Sequence, residues 1–186
     1  IIDEADGSIL FLDEVHRLPP EGQEMIFYFM DHGTFSRLGE TGKNHQANVR
    51  IVGATTEDPN STLLDTFTRR IPINIQLPFF EKRPASEKVD LVRVLVGQEA
   101  TRIQRTITLT EDVVKALIGS VSFGNIGQLK SNVQLVCARG FLNHMQQDEI
   151  EIDLDELPEG IRSGLMVLGN RRDELAELSK ILEPTV

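Results

Sequence analysis

The chain has 186 residues, 40% hydrophobic and 26% charged, with a formal net charge of −10. That is the composition of one ordinary globular domain, or of a small domain with an appendage, and it excludes a disordered polymer. The acidic balance excludes a nonspecific DNA binder, which needs clustered Lys and Arg against phosphates, and no apolar run reaches the roughly 20 residues that cross a bilayer.

Ile1-Ile2-Asp3-Glu4 carries neither an initiator Met nor a signal-peptide pattern and reads as the start of a fragment. Ser8 to Leu12 is a short continuous apolar run, which predicts a strand buried on both faces, as in a parallel sheet. Pro19 and Pro20 open a helix whose Met25, Ile26, Phe29 and Met30 form an inward stripe and which Gly33 ends. After a polar loop from Gly39 to Asn48, Val49 to Ala54 predicts a second strand and Leu63 to Phe67 a short helix. Ile71, Ile73, Ile75 and Leu77 alternate as a third strand, which Pro78 stops.

From Pro84 the texture is helical. Val89, Val92, Val96 and Ile103 predict one long helix, and Thr110 caps a second, with Glu111 and Asp112 where the helix dipole favours acids. A third begins near Asn125 and carries Leu129, Val133, Val136 and Cys137. Cys137, the single cysteine, reads as a small buried hydrophobe, and cysteine usage fits the cytosol. Beyond Gln146, Ile150, Ile152 and Leu154 alternate as a short strand in an acidic stretch, and two short helical patterns run to Pro184. The expected fold class is α/β: a partial parallel sheet over residues 1–80, a helical lid subdomain over 81–147, and an acidic linker over 148–186 toward a further domain.

Chemistry concentrates in three places. Ile9 to Leu12 delivers Asp13 and Glu14 to a strand's C-terminal end, where open α/β sheets bind ligands. An Asp there suits Mg²⁺ through a coordinated water, and a Glu suits polarisation of an attacking water; a solvated strand end is the plain alternative. Gly53-Ala54-Thr55-Thr56 ends a neighbouring strand in hydroxyls that suit a phosphate sensor or an ordinary turn. Thr68-Arg69-Arg70 offers guanidinium groups as arginine fingers across a subunit interface or as surface charges, and Arg37 is a further candidate. His16, His32, His45 and His144 are scattered and read as surface or structural.

In order along the chain, these motifs resemble a known family. Asp6 to Glu14 resembles the Walker B region of sigma-54-dependent activators, Gly33 to Gly39 their segment after the next helix, and Val49 to Thr56 their sensor I strand. Leu77 to Arg83 resembles their domain-to-lid junction and Phe123 to Lys130 the start of their sensor II helix. Asp13 to Gln23, Thr66 to Pro72 and Asn125 to Lys130 are similar to the levanase-operon-regulator (LevR) type, whose ATPase precedes domains regulated by the sugar phosphotransferase system.

The resemblance implies a partial AAA+ P-loop-type fold and part of a ring-forming ATPase that binds ATP and Mg²⁺ and remodels sigma-54 RNA polymerase at promoter DNA. It assigns Asp13 to the metal, Glu14 to catalysis, Thr56 to sensing the γ-phosphate and Arg69 to the neighbouring subunit's site. Partners of the phosphotransferase system are implied too. Three features depart from the family. Thr56 stands where most members have Asn; Gly127 stands at the usual sensor II Arg, leaving Lys130 one turn away as its substitute; and a second finger arginine falls near Leu63. No Gly-x-x-x-x-Gly-Lys-Ser/Thr loop and no GAFTGA loop occur in the chain, so the chain alone is expected to be inactive. A non-catalytic oligomerisation or regulatory module of AAA+ ancestry is the alternative.

Overall fold

The computed structural model describes residues 1–37, 39–40, 42–58, 65–122 and 125–182. The chain divides into two compact units, Ile1–Gln76 and Leu77–Val186.

In the first unit, β1 (Ile9–Leu12) leads through a 3-10 turn at Val15–Arg17 to α1 (Pro20–His32). Pro20 opens α1 at a position where no intrahelical N–H is needed, and Gly33 closes it at φ 68, with its N–H on the Phe29 carbonyl. β2 (Thr34–Phe35) pairs antiparallel with β3 (His45–Gln46), inside the expected polar loop. β4 (Arg50–Gly53) returns parallel to β1 in the register Ile9↔Arg50 to Leu12↔Gly53. α2 (Asp65–Thr68) follows, and the position near Leu63 lies outside the described residues. Ile2, Val15, Ile26, Phe29, Phe35 and Phe67 form the core.

Two expectations for this unit are corrected. β1 is not buried on both faces: Leu10 and Leu12 pack on the core, while Ile9 and Phe11 are 58% and 59% exposed. Residues 71–76 form no strand, and Ile73 and Ile75 are exposed. Alternation supplies an apolar face, but a strand also needs a neighbouring backbone for its N–H and C=O groups, and none pairs with this segment among the described residues.

The second unit begins with α3 (Ala85–Ile103), β5 (Thr106–Leu109), α4 (Glu111–Gly119) and α5 (Asn125–Asn143). β6 (Glu149–Ile152), the strand read at Ile150 and Ile152, pairs parallel with β5, a strand that the sequence reading did not include. α6 (Glu159–Arg162), α7 (Gly164–Gly169) and α8 (Arg172–Leu182) complete it. Its core joins Val113 and Leu117 of α4 to Leu129, Val133 and Val136 of α5 and Ile150 and Ile152 of β6. Cys137 is buried here as expected; burial, helped by the nearby Glu99 charge and opposed by Arg102, pushes its thiol up to about 12.

Residues 149–182 are built into this core, where the sequence pattern had read a linker. Leu157, Leu168 and Leu178 are buried, each burial contributing about 1.5–3 kcal/mol. Lys88 of α3 is also buried; its Nζ pairs with Glu174 of α8, donates to the Glu81 carbonyl at 2.9 Å and lies over the Phe80 ring. The acidic texture hid these contacts: Asp155, Glu159, Asp173 and Glu177 are exposed, while the apolar faces of the short helices turn inward.

Candidate functional site

The parallel register Leu12↔Gly53 puts the C-terminal ends of β1 and β4 at the same edge. The ladder continues past both ends: the Ala54 N–H donates to the Leu12 carbonyl at 2.9 Å and the Val15 N–H to the Ala54 carbonyl at 3.0 Å. Gly53 permits this close approach, since a β-carbon there would lie 2.9 Å from Cγ1 of buried Val15. Asp13 and Glu14 follow β1 and Thr55 and Thr56 follow β4, so two carboxylates and two hydroxyls share one edge.

Glu14 adopts the left-handed conformation (φ 50, ψ 52), a cost of roughly 1–2 kcal/mol for a residue with a β-carbon. Its N–H donates to Oδ1 of Asp13 at 3.0 Å. The turn brings its carboxylate back toward β4, where Thr56 Oγ1 donates to Oε2 at 3.4 Å. The same oxygen lies 3.3 Å from His16 Nε2 and 3.7 Å from Arg17 Nε. His16 Nδ1 is 2.8 Å from Thr55 Oγ1, which accepts the Glu57 N–H at 3.1 Å. Asp13 stands at the tip as a single hard-oxygen donor, suited to a Mg²⁺ whose other ligands are waters and phosphate oxygens. Among the described residues no cluster of three His, Cys, Asp or Glu side chains gathers as a metal cage, and no glycine-rich loop cradles phosphates in the chain.

The paired arginines separate. Arg70 forks onto Asp31 with Nε and Nη2 at 2.8 and 2.7 Å and lies over the Phe27 ring. The hydrogen bond from Arg70 holds the Asp31 carboxyl below its ordinary range, and Asp31 in turn raises the guanidinium. The Arg69 side chain is 76% exposed, with a long 3.5 Å contact to Asp65 one turn earlier. Arg37 is tied to Asp3 at 2.7 Å. Lys130 stands exposed on α5 of the second unit.

Sequence reasoning placed Thr55 in a hydroxyl-bearing strand end but missed its partnership with His16. His16 was read as an ordinary histidine, yet it sits two positions after Glu14 at a strand end, and its ring is largely covered. The spacing was visible; the approach of Thr55, 39 residues away, was not.

The sigma-54 interaction domain model matches residues 1–76. The chain is 52% identical over 167 residues, 89% of its length, to the transcriptional regulatory protein LevR of Bacillus subtilis (strain 168), covering 18% of that protein. It is 38% identical over 84% of its length to the transcriptional regulatory protein DagR of Salmonella typhimurium, covering 17% of it. The chain thus spans less than a fifth of the length of these curated relatives. Among solved structures, NtrX from Brucella abortus in complex with ATP superposes with a TM-score of 0.70 at 28% identity, over 86% of this chain and 37% of that one. A Thermotoga maritima RuvB mutant superposes with a TM-score of 0.57 at 21% identity, over 93% of this chain and 49% of that one, a likeness of fold alone. The fold is α/β of the AAA+ kind.

Proposed function

We propose that this chain, whose residues 1–76 match the sigma-54 interaction domain and which is 52% identical to LevR over 167 residues, is the Walker B, sensor and lid portion of a cytoplasmic AAA+ ATPase of the sigma-54-dependent activators. The intact protein couples ATP hydrolysis to remodelling of sigma-54 RNA polymerase at promoter DNA. On the resemblance to the levanase-operon-regulator type, the intact protein serves a sugar-uptake or sugar-use operon and is regulated by phosphotransferase-system proteins. Among the described residues no helix is long and apolar enough to cross a membrane.

The observation that carries this reading is the 3.4 Å contact between Thr56 and Glu14 at the shared end of two parallel strands. Glu14 polarises the attacking water, and Thr56 couples that carboxylate to the state of the γ-phosphate. Asp13 holds Mg²⁺ through water, and the metal when bound neutralises phosphate charge. Exposed Arg69 reaches the nucleotide of a neighbouring copy in a ring, where a guanidinium stabilises transition-state charge. Lys130 serves in place of the sensor II arginine. The 186 residues by themselves are expected not to hydrolyse ATP, because their sequence contains no Gly-x-x-x-x-Gly-Lys-Ser/Thr loop to cradle the phosphates.

Glu14→Gln in the full-length protein is expected to abolish ATP hydrolysis while ATP still binds. Unchanged turnover removes Glu14 from the chemistry. Gly127 at the sensor II position favours a second reading, a non-catalytic oligomerisation module; a full-length protein that binds partners but never turns over ATP decides for it.

A further inference from the structure

We infer that His16 is a positioning residue for Glu14: it holds Oε2 of the carboxylate so that Oε1 is the oxygen left to accept a proton from the attacking water. This rests on the ATPase reading of the site. Three groups converge on Oε2, namely Thr56 Oγ1, His16 Nε2 and Arg17 Nε. Oε1 has no hydrogen-bond partner among the described residues.

The ring of His16 is held from its other side. Thr55 Oγ1 accepts the Glu57 N–H, so its own hydrogen is available to His16 Nδ1 at 2.8 Å. A neutral imidazole that accepts at Nδ1 carries its hydrogen on Nε2, the nitrogen 3.3 Å from the Glu14 carboxylate. From Glu57 to His16 each group thereby presents the polarity that its neighbour requires, and Nε2 then faces the Glu14 carboxylate at an ion-pair distance of 3.3 Å. The line has a rigid base, because the turn holding His16 is pinned through the Val15 N–H to the Ala54 carbonyl and through the buried Val15 side chain. Glu14 itself sits in left-handed backbone, a conformation that persists where surrounding contacts hold it. His16 thus ties the carboxylate to the segment after β4, which also carries Thr56, and a shift of that segment reaches Glu14 by two routes.

The test pairs kinetics with spectroscopy. In the full-length protein, His16→Ala and Thr55→Val are each expected to lower kcat roughly 10- to 100-fold, the range that misplacing a reacting group produces, with the KM for ATP little changed. The double variant is expected to be no worse than the poorer single one, since both break one line. Thr55→Ser, which keeps the hydroxyl, is expected to restore turnover. In the 186-residue chain, imidazole ¹⁵N spectra are expected to show His16 as the Nε2–H tautomer, with that preference lost in Thr55→Val. Normal kcat in His16→Ala, in a protein that Glu14→Gln inactivates, overturns the positioning role. A His16 tautomer mixture indifferent to Thr55→Val overturns the line itself. A parent protein without turnover overturns the ATPase reading and the role of His16 with it, while the tautomer result still reports whether the contact exists.

Discussion

Gly119 at the end of α4 and Gly164 at the start of α7 meet backbone to backbone. A β-carbon on Gly119 would lie 2.0 Å from the Gly164 carbonyl oxygen, and one on Gly164 would lie 2.2 Å from the carbonyl oxygen of Ala116. This contact fastens the C-terminal helices to the second unit, because any side chain at either position would hold the two helices apart.

Gly164→Ala is therefore expected to destabilise the second unit by about 1–3 kcal/mol or more, as overpacking of a close contact does. A lower urea midpoint and faster proteolysis near α7 report it. Gly160→Ala is the control: a β-carbon there meets nothing within 4 Å, and alanine in α6 leaves the midpoint unchanged or slightly raised. Equal midpoints for both variants refute the close contact.

Lys88 and Glu174 form a pair that is nearly closed to water on the Lys88 side. Lys88→Met leaves Glu174 without its main counter-charge, and Glu174→Leu leaves a buried ammonium; removing one partner of a buried pair costs about 3–5 kcal/mol. The double variant Lys88→Met with Glu174→Leu is expected to recover much of that loss, since apolar replacements of similar volume often match a buried ion pair. Thermal unfolding of the four proteins measures the coupling, and simple additivity counts against the pair.

Arg70 and Arg69 are adjacent and are expected to fail differently. Arg70→Ala removes the fork onto Asp31 and the contact with the Phe27 ring, so its main effect is a lower melting temperature of the first unit. Arg69→Ala leaves the melting temperature near that of the parent and, in the full-length protein, lowers ATP turnover on the order of 10³-fold or more, the scale of an arginine finger. Mixing Arg69→Ala with Glu14→Gln subunits is expected to restore part of the turnover, at interfaces that receive one intact group from each parent.

Glu156 supplies a pH dependence. Burial works to raise its carboxyl, but hydrogen bonds from Asn143 and His144 and from the Asp153 N–H outweigh burial and hold it below the ordinary 4.5. A carboxyl lowered by folding contributes stability that is complete above its unfolded pKa and lost as pH falls through its folded one. Stability is thus expected to fall as pH drops below about 4.5, and Glu156→Gln is expected to flatten that part of the curve. Parallel curves for parent and variant between pH 5 and pH 3 argue against this contribution.

Much of the site was legible because its signals are local. An apolar run ending in Asp13-Glu14 and another ending in Thr55-Thr56 each announce a strand tip within a few residues. What joins them is the register Leu12↔Gly53, which depends on backbone groups about 40 residues apart. The same distance hid the partnership of His16 with Thr55. The family resemblance singled out Arg69 as the finger, but residue type and spacing gave Arg70 no role of its own; the position of Asp31 and Phe27 on α1 sets Arg70 apart as structural.

The amino-acid sequence by itself determined where α1, α3 and α5 run, where the acids and hydroxyls stand and which family the motifs resemble, because helical periodicity, caps and strand-end chemistry are written within short windows. Only the tertiary structure decided that residues 71–76 form no strand and that the acidic tail belongs to a core. A strand requires a partner's backbone and a tail requires a surface that admits it. Gly119 meeting Gly164 and Lys88 meeting Glu174 are relations across the chain, which no window of sequence contains.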